Sequence, residues 1–137
     1  MLKKLLITCI AVILFASCSK STKCGERLCD ASFAFVTVMF VDSEGNGIAV
    51  KDYSAVNLRT KDTLKSSAAV TMDVVPGVYF VADDSHKDAL SKEGDEIKVS
   101  GTNITTNITK TATFKISGGK CECHITKISG PEKIQFD

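Results

Sequence analysis

Phe33-Ala34-Phe35-Val36-Thr37-Val38-Met39-Phe40-Val41 is the stretch that decides the fold. It is dense in aromatic and β-branched side chains and alternates at a period of two, with Phe33, Phe35, Thr37 and Met39 on one face. That is the pattern of a strand. Asp42-Ser43-Glu44-Gly45-Asn46-Gly47 ends it with residues that favour turns. Reading outward, the same alternation returns in Tyr53–Thr60, followed by the polar turn Lys61-Asp62-Thr63. Ala68–Val75 reads as a third strand, Pro76-Gly77 as a sharp turn, and Val78–Ala82 as a fourth strand. Glu96–Ser100, Thr111–Ile116, Lys120–Ile128 and Lys133–Phe136 complete the series, with Gly118-Gly119 and Ser129-Gly130-Pro131 as breaks. The long polar connection Asp83–Asp95 has room for one helical turn around His86–Leu90. Seven to eight short strands at regular spacing predict an all-β fold, an antiparallel β-sandwich.

The amino terminus carries a different pattern. Met1-Leu2-Lys3-Lys4 is basic, Leu5–Phe15 is apolar, and Ala16-Ser17 places small residues before Cys18. A membrane-spanning helix needs about 20 apolar residues, so the run is too short to span and has the order of a secretory signal. The segment resembles a bacterial lipoprotein signal with its lipobox. That resemblance implies removal of residues 1–17, lipidation of Cys18 with palmitate among the acyl groups, and anchoring in the cell envelope. Ser19 stands where an Asp would mark inner-membrane retention, so the resemblance implies outer-membrane delivery. The domain layout is then 1–17 signal peptide, 18–32 lipidated cysteine and tether, and 33–137 sandwich.

The chain has 17 basic and 16 acidic side chains, and losing Lys3 and Lys4 with the leader keeps it near neutral. Without a basic stripe it has no electrostatic means of holding nucleic acid. The expected partners are the membrane, through the lipid, and a protein or glycan of the envelope.

A second resemblance rests on two turn motifs. A Val36-Thr37-Val38 strand runs into Val41-Asp42-Ser43-Glu44-Gly45-Asn46-Gly47-Ile48, and Val75-Pro76-Gly77-Val78-Tyr79-Phe80-Val81 follows later. This looks like the carboxypeptidase regulatory-like and transthyretin-like sandwich domains over residues 33–82. It implies that Asp42 and Gly45 build one hairpin, that Pro76 and Gly77 set another turn, and that Tyr79 and Val81 point inward. It also implies a module without catalysis of its own, which packs against partners, binds sugars or proteins, or stiffens an assembly. A lone copy behind a lipid anchor resembles the small lipoproteins of Bacteroidetes.

Six cysteines become four when Cys9 leaves with the signal and Cys18 takes lipid. Cys24 and Cys29 lie near the mature amino terminus, and Cys121 and Cys123 lie near the carboxyl end. An exported compartment favours disulfides. A Cys121–Cys123 bridge would close a very tight ring with poor geometry. End-to-end pairing is expected, as Cys24–Cys121 with Cys29–Cys123 or the crossed version, and a local Cys24–Cys29 bridge is the rival. Such stapling would put both ends of the sandwich near the membrane. The alternative chemistry is a metal-handling or thiol-redox site in which Cys24, Cys29, Cys121, Cys123 and His124 gather zinc or copper(I).

No nucleophile-elbow, zinc-protease or phosphate-loop motif is present. His86 and His124 lack an evident nucleophile and orienting acid beside them in sequence. The acidic loop Asp83, Asp84, Asp88, Glu93, Asp95, Glu96 lacks the order of a calcium loop and reads as solvated. The expectation is a non-enzymatic protein without a cofactor or a metal. The paired Asn103-Ile104-Thr105 and Asn107-Ile108-Thr109 read as exposed Thr-rich strand or loop.

Overall fold

The computed structural model of the protein describes residues 24–65 and 75–137. The leader, Cys18 and nearly all of the strand expected over Ala68–Val75 lie outside the described residues. Seven strands are described: β1 Phe35–Val41, β2 Val50–Asn57, β3 Val78–Asp83, β4 Asp95–Asn103, β5 Thr109–Ser117, β6 Thr126–Ser129 and β7 Lys133–Gln135. A short 3₁₀ helix, Asp84–Ala89, occupies the polar connection where one helical turn was expected. The strands form two sheets, β3-β1-β7 and β2-β4-β5-β6, packed as a sandwich.

Alternation decides which residues meet between the sheets. Val36, Val38 and Phe40 of β1 point inward and are buried, as are Val81 and Ile134 on the same sheet. Ala55, Ile97, Val99, Phe114 and Ile116 answer from the other sheet. The face bearing Phe33, Phe35, Thr37 and Met39 is therefore the outer one, and Phe33 and Phe35 are more than half exposed. Aromatic content did not mark the inner face of this strand. Phe40 is the centre of the core, with Tyr79 edge-on at 5.5 Å and Phe136 stacked at 5.9 Å between ring centroids.

The two turn motifs touch each other. Asp42 accepts from the N–H groups of Glu44 and Asn46, each at 2.9 Å, which fixes the first hairpin. Gly77 adopts a φ of +84°, and a Cβ there would lie 2.5 Å from the Phe40 carbonyl oxygen and 2.7 Å from the Ile48 nitrogen. A Cβ on Gly47 would collide with the Pro76 carbonyl. Both glycines are required because two backbones cross here at contact distance.

Two features depart from expectation. β1 and β7 are parallel, with Met39 opposite Lys133 and Val41 opposite Gln135. The chain leaves the larger sheet after β6, turns at Gly130-Pro131 and joins the smaller sheet, a crossover that no local pattern encodes. The strand expected over Lys120–Ile128 begins only at Thr126, because Cys121 and Cys123 are drawn into the bridges described below. The Asn-Ile-Thr pair forms the tip of the β4–β5 hairpin. Asn103 caps it by accepting from Thr105 and Thr106, and Asn107 turns it with a φ of 57°.

Candidate functional site

The strands run between two poles. One pole gathers the amino-terminal segment, the 3₁₀ helix, the start of β4 and the loop between β5 and β6. There Cys24 bonds Cys121 and Cys29 bonds Cys123, with Cα separations of 5.2 and 5.4 Å. The pairing is end-to-end and uncrossed. Each cysteine of the loop takes one of the segment, so the segment lies along the loop at two points five residues apart. With the four sulfurs bonded to one another, no thiolate remains for zinc or copper. Among the described residues, no group of three or more His, Cys, Asp or Glu is arranged to hold a metal ion.

Asp84 is the hub beneath the bridges. Its carboxylate accepts from the Ala34 N–H at 2.8 Å, from the Ile125 N–H at 2.8 Å and from His124 Nδ1 at 2.7 Å. One side chain thus ties the amino-terminal segment and the β5–β6 loop to the 3₁₀ helix. The other ring nitrogen, Nε2, lies 3.1 Å from Asp30 Oδ1. Carboxylates only accept, so the ring donates to both only in its protonated form, with an N–H on each nitrogen. The bond to Asp84, with Asp30 behind it, raises the His124 pKa against the opposing effect of burial. Burial pushes Asp84 up, but bonds from His124, Ala34 and Ile125 outweigh it and hold the carboxyl below its ordinary value. Asp30 is lowered mainly by its bonds from Ser32, then by His124.

Ser32 Oγ also lies 3.4 Å from His124 Nε2, so Ser32, His124 and Asp84 follow the order of nucleophile, base and acid. The arrangement does not work as one. Asp30 lies nearer to Nε2 than Ser32 does and also takes the Ser32 hydroxyl, so that hydroxyl is directed at a carboxylate and not at the ring. The cluster is a clasp that joins three segments.

The acidic loop is not simply solvated. Asp83 is fully buried and caps the 3₁₀ helix by accepting from the Ser85 N–H at 3.0 Å, while the Asp83 N–H donates to His86 Nδ1 at 3.4 Å. Asp95 is buried and accepts from Arg59 Nε and Nη2 at 2.8 and 2.7 Å, and from Asn57 Nδ2 at 2.7 Å. The Arg59 bonds overcome burial and hold Asp95 far below the usual carboxylate range. Three of the loop's acids are thus anchors. Sequence reading could not assign Asp84 and Asp95, because their partners lie tens of residues away, whereas Asp83 caps its own helix from two and three residues off.

The opposite pole holds the Asp42–Asn46 turn, the β4–β5 hairpin tip and the carboxyl terminus, where Asp137 pairs with Lys110 at 2.9 Å. The chain ends are therefore not both at the stapled pole. The bridges catch residues 121 and 123, and β6 and β7 then carry the chain to the far end.

Between the edge strands β2 and β3 lies a groove of about 600 Å³, lined by Tyr53, Leu64, Val75, Pro76, Tyr79 and Phe80 among others. Tyr53 donates to the Phe80 carbonyl at 2.6 Å, and Tyr79 Oη accepts from the Val50 N–H at 2.8 Å. The rings stack at 4.6 Å, so each edge strand is latched to the other sheet's backbone. Tyr79 packs against the core as expected, and burial pushes the Tyr53 hydroxyl pKa upward. No family model matches the chain, and no curated protein or solved structure matches it significantly.

Proposed function

We propose that the protein is a non-enzymatic, lipid-anchored module of the bacterial envelope, held at the outer membrane through Cys18, whose sandwich serves a protein or glycan partner as a binding or structural accessory. The observation that carries the reading is the pair of long-range disulfides beginning six residues after Cys18. Such bridges persist in oxidising, exported compartments, which is where the lipoprotein-like leader would send the chain. The sandwich is read as transthyretin-like. Support comes from the contact between Gly47 and Gly77, which joins the two motifs on which that resemblance rests.

The test is expression of the full chain in a lipoprotein-processing bacterial host, followed by membrane fractionation and intact-mass measurement. The expected product begins at Cys18, carries acyl mass, partitions with membranes and has four cysteines that resist alkylation. The Cys18→Ser chain is expected to lose acyl mass and membrane association. A mature chain without acyl groups overturns the anchored reading. Four alkylatable thiols with bound zinc or copper would favour the metal-handling alternative instead.

A further inference from the structure

We propose that the stapled pole docks on the lipid surface itself, with Leu28, Phe33 and Phe35 as the contacting side chains; the proposal rests on the reading of Cys18 as the lipid anchor. Leu28 is fully exposed, and Phe33 and Phe35 are 51% and 56% exposed. Scattered exposed apolar residues are ordinary, but these three fall within eight residues of the segment that enters the domain. That segment is also rigidly placed. Cys29, next to Leu28, is bonded to Cys123, and Ala34, next to Phe33, is bonded to Asp84. Phe35 is held by an edge-on contact with Phe80 at 5.7 Å. A fixed apolar surface meets a bilayer without first losing conformational freedom.

The length of the preceding chain selects the occupant. Cys24 is the sixth residue after Cys18, a stretch that spans at most about 20 Å when fully extended. The nine residues of β4 cover about 30 Å at the usual strand rise. An acylated Cys18 therefore keeps the stapled pole within reach of the headgroups and leaves the hairpin tip, with exposed Ile104 and Ile108, on the far side. In sequence, Lys20 and Lys23 precede the first bridge with no acid between them and Cys18, which favours anionic headgroups, while Arg27 is already paired with Glu122. Aromatic rings are well suited to the interfacial layer, where an apolar body meets a wet boundary.

The chain contains no tryptophan, so single-tryptophan variants report depth without background. The acylated full-length product of the Leu28→Trp, Phe33→Trp and Ile104→Trp chains is reconstituted into phosphatidylethanolamine–phosphatidylglycerol vesicles, with and without brominated acyl chains. Resistance to alkylation verifies both bridges in each. The Leu28→Trp and Phe33→Trp chains are expected to shift to the blue and to lose at least half of their emission to the bromines, while the Ile104→Trp chain is unaffected. Acylated protein in which all three positions are quenched alike, or none is, overturns the docking and leaves the anchor standing. A product without acyl mass overturns the anchor, and the docking with it.

Discussion

At His124, one ring joins charges drawn from three parts of the chain, and its behaviour with pH follows from that. Its pKa is raised above the ordinary 6.5, so its contribution to stability is complete below that value and is lost as pH rises through the folded-state pKa. Asp84 and Asp30 are lowered from 3.8, so their contribution is present above that value and is lost as pH falls. Urea denaturation across pH should show stability declining as pH rises past 6.5. The His124→Gln chain should lack that decline and match wild type most closely at alkaline pH; an unchanged profile would show that the clasp does not titrate. The Cys-Glu-Cys-His run was legible as a chemical cluster. Its true partners were not, because Asp84 and Asp30 reach His124 from 40 and 94 residues away.

Elements were easier to read than their arrangement. Alternation and turn residues located most strands because a half-buried sheet imposes that period locally. Where covalent or backbone constraints override side-chain preference, the reading failed, as at Lys120–Ile125, where apolar spacing suggested a strand and two disulfides hold a loop. Turn chemistry carried more than turns. Gly77 permits the crossing of β1 and the chain entering β3, and Gly77→Ala should destabilise by about 1–3 kcal/mol or more, from the positive φ together with the clash on Phe40. A melt within experimental error of wild type would mean that the crossing can relax. The edge latches supply a second test at this scale. Tyr79→Phe keeps the ring stack and leaves the Val50 N–H without its side-chain acceptor, at a cost of about 1–3 kcal/mol. Tyr53→Phe should cost less, because Tyr53 makes one hydrogen bond to the facing backbone where Tyr79 makes two.

For the whole molecule, the two bridges are unequal in effect although alike in form. The Cys24–Cys121 bridge closes a separation of 97 residues, worth about 4–5 kcal/mol in the chain-entropy description. Once it is made, the second bridge closes only the short ring running through residues 24–29 and 121–123, and adds about 2 kcal/mol. The Cys29→Ala/Cys123→Ala chain should therefore melt well above a chain lacking all four cysteines. By symmetry, retaining Cys29–Cys123 alone should serve nearly as well. If either single-bridge chain melts like the cysteine-free one, the entropic account fails. The cysteine count and the compartment made end-to-end bridging legible. The choice between straight and crossed pairing was not, since it depends on the direction in which the segment lies along the loop.

The parallel pairing of β1 with β7 has a mechanical consequence. A load applied between residue 24 and the carboxyl terminus passes across the bridges to residues 121 and 123, bypassing most of the chain. Only residues 124–137 can be drawn out, about 50 Å at full extension. The pull on β7 runs along the strands, so the contacts opposite Met39, Phe40 and Val41 are sheared together and do not peel one at a time. Under tension the domain has a short travel and a hard stop.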